Sequence, residues 1–337
     1  KNLHNMKGKY LLLFFVLLIA CKDEKSNPEN KEPKAGVGLR IATAYGAPNV
    51  DKWIANAKAM GINCMRLTDM IQKDKGHLQD LTSDPEHKFD EMDRKVAKIV
   101  ASGMTYVLDL SYIRNQLIKE GINPYSPSTD WTPYLEVVLN RTPIKGYTYK
   151  NDPHLAFIAI AGEPFSKYSD NPIEKAGNKA NLIAFYKRLA LQLKKMGVTR
   201  PISAGGFLHQ GKDGWGTDAD LGFKEIWSLP EIDIPTIHVY DDDAINSIPQ
   251  LVAFCHSIGK PLVIEETGKE YKGNDAERAK WFEKIASKIK DSKAFPDGIG
   301  LWNIGEMNGY DVRADEHPIT TKAVRELMLL TQSKLLN

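Results

Sequence analysis

Short apolar runs alternate with amphipathic segments along most of this chain. Eight of the runs have the length and composition of buried parallel strands, and they occupy residues 36–42, 62–67, 105–110, 158–163, 201–205, 236–240, 261–266 and 298–302. The segments between most of them space their apolar residues as helices do, for example at Leu182, Phe185, Leu189 and Leu193. Eight such alternations in 337 residues predict a single (β/α)8 barrel and not an open doubly wound sheet.

One long segment departs from the simple alternation. Residues 111–130 are predicted to form a loop over the mouth of the barrel, followed by a helix at residues 131–139. No glycine-rich dinucleotide fingerprint and no phosphate-binding loop follows any of the predicted strands. The pattern therefore gives no indication of a nucleotide cofactor, and no cofactor is expected.

Two of the apolar runs end in acidic residues. Residues 158–161 lead into Glu163, and residues 261–264 lead into Glu265 and Glu266. In a (β/α)8 barrel the carboxyl ends of all strands open onto the face that carries the active site. Two carboxylates at that face suit glycoside hydrolysis, in which one group protonates the leaving oxygen and the other attacks the anomeric carbon. The alternative is that each is a solvated loop residue just past a strand.

The pair of adjacent acids after residue 264 poses a choice. Neighbouring residues of a strand point in opposite directions, so only one of Glu265 and Glu266 is expected to face the barrel interior. Glu266 is the preferred candidate for the residue that faces the interior, and Glu265 is the alternative. Burial and the neighbouring carboxylate are expected to raise the pKa of Glu163.

The amino-terminal segment has the pattern of an export leader. Met6 is the expected start, Lys7 and Lys9 supply positive charge, and the apolar run 10–19 is too short to span a bilayer comfortably. Residues 18–20 before Cys21 resemble the lipobox of bacterial lipoproteins. The expected organisation is a signal peptide at residues 1–20, then the lipidated Cys21 with a charged, disordered linker at 21–35, and a catalytic domain at 36–337. An ordinary secretory signal or a short membrane anchor is the alternative.

Charge and cysteine content exclude several other classes of protein. The formal net charge is only +2, and Lys1, Lys7 and Lys9 belong to the leader, so nothing indicates a nucleic-acid partner. With Cys21 lipidated, Cys64 and Cys255 are expected to be free, buried thiols without a disulfide. The sequence contains no cysteine–histidine cluster that would predict a metal site. It also contains no G-x-S-x-G motif that would predict a serine nucleophile.

Several motifs in the chain resemble those of clan A glycoside hydrolases. Residues 140–142 and 149–153 resemble the segment that leads these enzymes into their fourth strand, and Glu163-Pro164 matches their acid/base motif. Residues 260–268 resemble their nucleophile strand, and residues 236–240 match their His-x-Tyr strand. The chain is most similar to family 5 and its β-mannanases and cellulases, from about residue 36 to beyond the eighth strand.

The resemblance implies a role for individual residues of this sequence. It implies that Glu163 is the acid/base and that Glu266 is the nucleophile of a retaining enzyme. It also implies that Arg66 hydrogen-bonds the nucleophile, although a structural Arg66 paired with Asp69 or Asp109 is the alternative. The further substrate-binding candidates are His238, Tyr240, Trp215, Trp302 and Asn303, with Trp131, Tyr168, Glu306 and Asn308 as weaker ones.

Two positions depart from the family pattern. Gly162 stands where the family usually has the asparagine that contacts the 2-hydroxyl of the sugar, and Thr267 stands where it prefers an aromatic residue. The expected activity is hydrolysis of a β-linked plant polysaccharide, first an endo-β-1,4-mannan. A β-1,4-glucanase, an exo-glycosidase and a non-catalytic surface glycan-binding protein are the alternatives. We expect a monomer, anchored to the outer membrane through Cys21 and facing the periplasm or the cell surface.

Overall fold

Parallel strands, nine of them in the described part of the chain, form one continuous sheet. The computed structural model describes residues 36–44, 49–68, 85–164, 179–208, 222–305 and 309–331. All of these ranges belong to one compact unit of the chain. The strands are β1 (Leu39–Thr43), β2 (Cys64–Leu67), β3 (Thr105–Asp109), β4 (Leu155–Ala159), β5 (Ile202–Ser203), β6 (Phe207–Leu208), β7 (Thr236–Val239), β8 (Val263–Thr267) and β9 (Gly298–Trp302).

The order of the strands closes the sheet into a barrel. It runs β5-β4-β3-β2-β1-β9-β8-β7-β6, and every pairing is parallel. The two outermost strands, β5 and β6, are consecutive in the chain, with Ala204, Gly205 and Gly206 between them. The strand predicted at residues 201–205 contains β5, whereas β6 lies beyond it and was not predicted. Counted as one strand, they complete the eight strands of a (β/α)8 barrel, which confirms the predicted fold class.

Helices follow most of the strands. They are α1 (Val50–Ala59), α2 (Pro85–Ala101), α3 (Ser111–Lys119), α4 (Thr132–Leu139), α5 (Lys179–Lys195), α6 (Phe223–Trp227), α7 (Asp242–Ser257), α8 (Asp275–Ser292) and α9 (Pro318–Met328). Local chemistry sets their ends. The Asn49 side chain caps α1 by accepting a hydrogen bond from the Lys52 N–H at 3.1 Å, and Gly61, with φ of +72°, follows its last turn as predicted. None of the described helices combines the length and apolarity that a membrane span needs.

The prediction of a loop at residues 111–130 is wrong in its first part, because residues 111–119 form α3. The helix is explained by its own spacing: Ile113 and Leu117 lie four residues apart on one face and are both buried. The helix predicted at residues 131–139 is confirmed as α4. Trp131, proposed as a weak sugar-binding candidate, packs against Phe185 and is 1% exposed, so it has no access to a ligand.

Two layers of apolar side chains make up the core. A small cluster fills the barrel interior and consists of Ile41, Cys64, Val107, Phe157, Ala159, Ile234 and Val263. The strand residues that alternate with these, such as Ala42, Met65 and Leu108, belong to the larger cluster that also includes the inner faces of the helices. Cys64 and Cys255 are free and buried as expected, and burial raises the pKa of each thiol to about 12.

Candidate active site

Strand alternation brings the first charged residues into the barrel. Cys64 and Val107 point to the interior, so Arg66 and Asp109, each two residues further along, point the same way at the carboxyl ends of β2 and β3. Both are almost fully buried, and the Arg66 Nη2 atom forms an ion pair with Asp109 Oδ2. Asp69, the other partner considered for Arg66, lies outside the described residues.

A β-bulge on β8 brings two adjacent glutamates to the same site. Ile264 pairs with Ile237, but the next pairing along is Glu266 with His238, so Glu265 is the extra residue. Glu265 Oε1 lies 3.6 Å from Arg66 Nε, and Glu266 Oε1 forms an ion pair with Arg66 Nη1. The expectation that only one of the two faces the interior is therefore wrong, because the bulge interrupts strict alternation.

Glu266 is held through its side chain. One carboxylate oxygen contacts the Arg66 guanidinium, and the other accepts a hydrogen bond from the Tyr240 hydroxyl at 2.8 Å. Arg66 therefore contacts both Glu266 and Asp109, so the two roles considered for it coexist. A carboxylate with both oxygens bound by fixed donors has a defined orientation, as a nucleophile requires.

Glu163 lies four residues beyond the end of β4 and adopts φ of +47°, in the left-handed region that side chains with a Cβ rarely occupy. Such a backbone costs roughly 1–3 kcal/mol and persists only where neighbours hold it. Here Arg114 of α3 donates from Nη1 to the carbonyl oxygens of both Gly162 and Glu163, at 2.5 and 2.8 Å. Two charge-assisted hydrogen bonds thus hold the turn that presents Glu163.

The rest of this turn is anchored in the same way. We call residues 161–164 the acid turn. The Tyr186 hydroxyl donates to the Ala161 carbonyl at 2.5 Å, and the Tyr125 hydroxyl donates to the Pro164 carbonyl. The Gly162 N–H donates to Ser111 Oγ at 2.9 Å. Every carbonyl of the acid turn therefore accepts a side-chain hydrogen bond, which fixes its backbone.

Gly206, between β5 and β6, joins the acid turn to β8, the strand that carries Glu265 and Glu266. Its carbonyl accepts the Glu163 N–H at 2.9 Å, and its own N–H donates to Glu265 Oε2 at 2.7 Å. The strand breaks at Gly205, where φ is +98° and an added Cβ would lie 2.4 Å from the Gly162 nitrogen. The break explains why β5 ends at Ser203 and strand pairing resumes only at Phe207.

His238 lies among three carboxylates. Its Nδ1 atom is 2.6 Å from Glu163 Oε1 and 3.5 Å from Glu266 Oε2, and its Nε2 atom is 3.2 Å from Glu265 Oε2. The ring also needs the space that a side chain at Gly206 would fill, since a Cβ there would lie 2.0 Å from two ring atoms. His238 thus contacts both the acid turn and β8.

The electrostatics of the cluster correct one prediction. Burial alone would lower the pKa of His238, but the charge of Glu266 and the hydrogen bonds to Glu163 and Glu265 raise it to about 10. Burial alone would raise the pKa of Glu163, yet the hydrogen bond and positive charge of His238, with the charges of Arg114 and Arg66, lower it. The expected upward shift for Glu163 is wrong because it neglected the cationic imidazole.

Glu163, His238 and Glu266 each offer a polar atom within 4.8 Å of those of the other two. An imidazole and two carboxylates at this spacing resemble a metal-binding set. However, Arg66 already pairs with Glu266, and a metal ion would have to displace the proton of an imidazole whose pKa is about 10. We therefore assign none of the three as a metal ligand.

The remaining predicted residues are placed less centrally. Trp302 ends β9 and is half-buried at the carboxyl end of the barrel. Asn303 is fully buried, and its Oδ1 atom accepts a hydrogen bond from the Gly305 N–H at 2.6 Å, so this geometry lends no support to a contact with a sugar. The other candidates lie outside the described residues: Cys21, Tyr168, Trp215, Glu306 and Asn308.

Sequence analysis missed Arg114, Ser111 and Gly206 as contributors to the site. Recognition of α3 from the spacing of Ile113 and Leu117 would have placed Ser111 and Arg114 next to the end of β4. Gly206 carried no comparable signal, because its importance depends on the position of the His238 ring.

Comparison with known proteins agrees with this geometry. The model of the cellulase family, glycosyl hydrolase family 5, matches residues 28–297, which is most of the chain. The chain belongs to glycosyl hydrolase family 5. It is a glycoside hydrolase, in line with the two carboxylates at the carboxyl end of its barrel. No curated protein sequence matches it.

Solved structures of the family share its fold at low sequence identity. The endo-β-1,4-mannanase of Thermotoga petrophila superposes with a TM-score of 0.67 at 16% identity, covering 91% of this chain and 79% of the mannanase. The endoglucanase Cel5A of Thermotoga maritima gives 0.58 at 14% identity, covering 86% and 98%. A family 5 mannosidase from Rhizomucor miehei gives 0.54 at 15% identity, covering 87% and 92%. These likenesses confirm the (β/α)8 fold.

Proposed function

We propose that the protein is a retaining endo-β-1,4-mannanase in which Glu266 is the nucleophile and Glu163 is the acid/base. The observation that carries the retaining mechanism is the approach of the two carboxyl groups, since one oxygen of Glu163 lies within 4.8 Å of one oxygen of Glu266. Retaining glycosidases space these groups by about 5–5.5 Å, whereas inverting enzymes need roughly 6.5–9.5 Å to admit a water molecule between them.

The surroundings of each glutamate suit its proposed role. Arg66 and Tyr240 orient Glu266 for attack on the anomeric carbon, which forms a covalent glycosyl-enzyme ester as the glycosidic bond breaks. The leaving oxygen takes a proton from Glu163, whose side chain is 40% exposed. Glu163 then removes a proton from a water molecule that attacks the anomeric carbon, and Glu266 is released as a carboxylate.

The choice of mannan comes from the family likenesses. The Thermotoga petrophila relative is an endo-β-1,4-mannanase, and the Cel5A enzyme of Thermotoga maritima has been solved with mannotriose as its substrate. A β-1,4-glucan is the second candidate, because Thermotoga maritima Cel5A is an endoglucanase. Trp302, half-buried at the end of β9, offers an aromatic side chain against which either sugar ring can stack.

The test is reducing-sugar release from galactomannan, glucomannan, carboxymethylcellulose and mixed-linkage β-glucan, with Glu163→Ala and Glu266→Ala as controls. Release from a mannan that both substitutions abolish supports the proposal, and the lengths of the early products distinguish endo from exo cleavage. Release from glucans alone favours the glucanase. Binding to a glycan without release from any of the four would refute the hydrolase and indicate a glycan-binding protein.

We also propose that the protein is a lipoprotein of the outer membrane, attached through Cys21. The support is the sequence alone: a positive segment, an apolar run and the lipobox-like residues before Cys21. Labelling of cells with an alkyne fatty acid should tag the protein, and Cys21→Ser should abolish the tag. A protein that is exported but not tagged would indicate a cleaved secretory signal instead.

A further inference from the structure

Glu265 is a buried carboxylate to which the proposed hydrolysis gives no role. It is 0% exposed, and its Oε2 atom accepts the Gly206 N–H at 2.7 Å and lies 3.2 Å from His238 Nε2. Its Oε1 atom faces Arg66 Nε at 3.6 Å, and neither of these two atoms has a hydrogen-bond partner within the described part of the chain. Burial of such a charge is costly, so its presence in a bulge beside Glu266 calls for a reason.

The position of Glu265 restricts the protonation of His238. A carboxylate accepts hydrogen bonds and does not donate them, so the Nε2 atom of His238 must carry a hydrogen toward Glu265. The Nδ1 atom, 2.6 Å from Glu163 Oε1, is then left to exchange a single proton with Glu163. Either His238 Nδ1 donates to the Glu163 carboxylate, or a protonated Glu163 donates to Nδ1.

We propose that Glu265 is a positioning residue that fixes the His238 imidazole through Nε2, so that His238 and Glu163 together hold the proton delivered to the leaving oxygen. The arrangement resembles that of a triad in which a buried carboxylate orients an imidazole toward the group that reacts. This inference rests on the proposed roles of Glu163 and Glu266.

The proton balance of the reaction follows from this arrangement. As Glu266 bonds to the anomeric carbon and the glycosidic bond breaks, the proton shared by His238 and Glu163 moves through Glu163 to the leaving oxygen. In the second step water gives its hydroxyl to the anomeric carbon and its proton to the same pair, and the bond to Glu266 breaks. The pair thus loses one proton and regains one in each turnover.

Glu265→Gln removes the charge while preserving the size of the side chain. The groups that face His238 are Glu163 beyond β4 and Glu265 and Glu266 on β8, with Arg66 and Tyr240 bound to Glu266. Removal of one negative charge beside His238 and Glu163 lowers the pKa at which this pair loses its last proton, whichever of the two residues carries it. In the pH profile of kcat/KM, the alkaline limb should therefore move to lower pH by about one unit or more.

Asp109→Asn is the matched control. Asp109 pairs with the same Arg66 and is equally buried, but the nearest partners of its carboxylate are Arg66 and the Ser111 N–H, and His238 is not among them. We expect Asp109→Asn to lower kcat/KM at every pH and to move the alkaline limb less than Glu265→Gln does. A uniform loss of kcat/KM in Glu265→Gln with an unmoved limb would mean that Glu265 is only structural, and would overturn the proposal.

A second measurement does not depend on substrate. The full chain, labelled with ¹⁵N-histidine, is titrated by NMR, and the His238 ring is identified by its loss in His238→Asn. We expect both ring nitrogens of wild-type His238 to be protonated at neutral pH, and the pKa of the ring to fall by about one unit or more in Glu265→Gln. An unchanged pKa would overturn the proposal.

The two measurements separate this inference from the proposed function. If no glycan is hydrolysed, the proposed function fails, while the titration still decides whether Glu265 controls His238. If Glu265→Gln fails to fold, as its circular dichroism spectrum would reveal, the wild-type spectrum decides alone: a His238 ring that lacks a proton on Nε2 at neutral pH would overturn the inference.

Discussion

The two glutamates of the site are held in opposite ways. Glu266 lies within a strand, and its orientation is set by bonds to its own carboxylate, from Arg66 and Tyr240. Glu163 lies in a turn beyond its strand, and most of the bonds that fix it go to the backbone, in particular from Arg114. The Glu163 side chain is 40% exposed, whereas that of Glu266 is 7% exposed.

The difference matches the two proposed tasks. A nucleophile attacks along one direction, so its oxygen has to be fixed before substrate arrives. An acid/base has to exchange protons with a leaving group and then with water, so it needs an accessible carboxyl on a rigid support. In this barrel the support is the acid turn, and the His238 side chain contacts both glutamates.

The largest expected effect is that of Glu266→Ala. Loss of the nucleophile should lower kcat by roughly four orders of magnitude or more, whatever the leaving group, because no other group can form the covalent intermediate. The measurement is kcat on a polysaccharide and on an aryl glycoside with an acidic phenol. Activity that survives in Glu266→Ala but vanishes in Glu265→Ala would reverse the assignment of the nucleophile.

Glu163→Ala should be selective where Glu266→Ala is not. General acid catalysis contributes about 10²–10⁴-fold, so the first step on a polysaccharide should slow by about that factor. An aryl glycoside with an acidic phenol leaves without a proton, and its first step should be far less affected. Equal losses on both substrates, measured in pre-steady-state bursts, would contradict the acid role of Glu163.

Gly206→Ala tests the connection between the two regions. A Cβ at Gly206 would lie 2.0 Å from the His238 ring, so the ring has to move, and a displacement of about 1 Å can cost roughly 10² in kcat/KM. Gly162→Ala is the matched change, since its Cβ would lie 3.2 Å from the Gly206 carbonyl, a distance that small shifts relieve. A smaller loss of kcat/KM in Gly206→Ala than in Gly162→Ala would show that the His238 position matters little.

Arg114→Met tests the backbone support of Glu163. It leaves the carbonyls of Gly162 and Glu163 without their donor, at a cost of about 1–3 kcal/mol for the buried Gly162 carbonyl, and lets the acid turn relax. We expect kcat to fall about tenfold with little change in KM, together with a lower Tm. Arg114→Lys keeps the charge without the planar fork and should be intermediate. A stable variant with unchanged kcat would mean that the turn holds its shape without Arg114.

The contrast between the glutamates also explains what the sequence could predict. Strand periodicity and the family motifs predicted the barrel, the two glutamates and the contact of Arg66 with Glu266, because these residues lie in strands or within a few residues of strand ends. The bulge at Glu265 was not predictable, since a shift of one residue in register leaves no mark on composition.

The supports of Glu163 were harder to predict, because they come from other elements. Arg114 reaches the acid turn from α3, and Gly206 reaches it from the break between β5 and β6. The lowered pKa of Glu163 depends on a distance of 2.6 Å to His238 Nδ1, which only the folded barrel sets. Local pattern therefore identifies the reacting groups, and long-range packing sets their protonation.

The smallest expected effect is on stability at alkaline pH. The pKa of His238 is about 10 in the folded protein and about 6.5 in an unfolded chain, so the folded state binds more protons between these values. Stability from His238 is thus complete below pH about 6.5 and is lost as the pH rises through about 10. The shifts of Glu163 and Glu265 have the opposite sign, and their contribution is lost in acid.

Tm measured from pH 6 to 10 gives the test. Wild-type Tm should fall across this range, by about 2–4 °C for each 1 kcal/mol of stability that loss of the His238 proton removes. His238→Asn removes the titrating ring, so its Tm should be lower at neutral pH and should fall less steeply toward pH 10. Parallel curves for the two proteins would mean that His238 is not a cation in the folded state, and the acid turn would then be held without its charge.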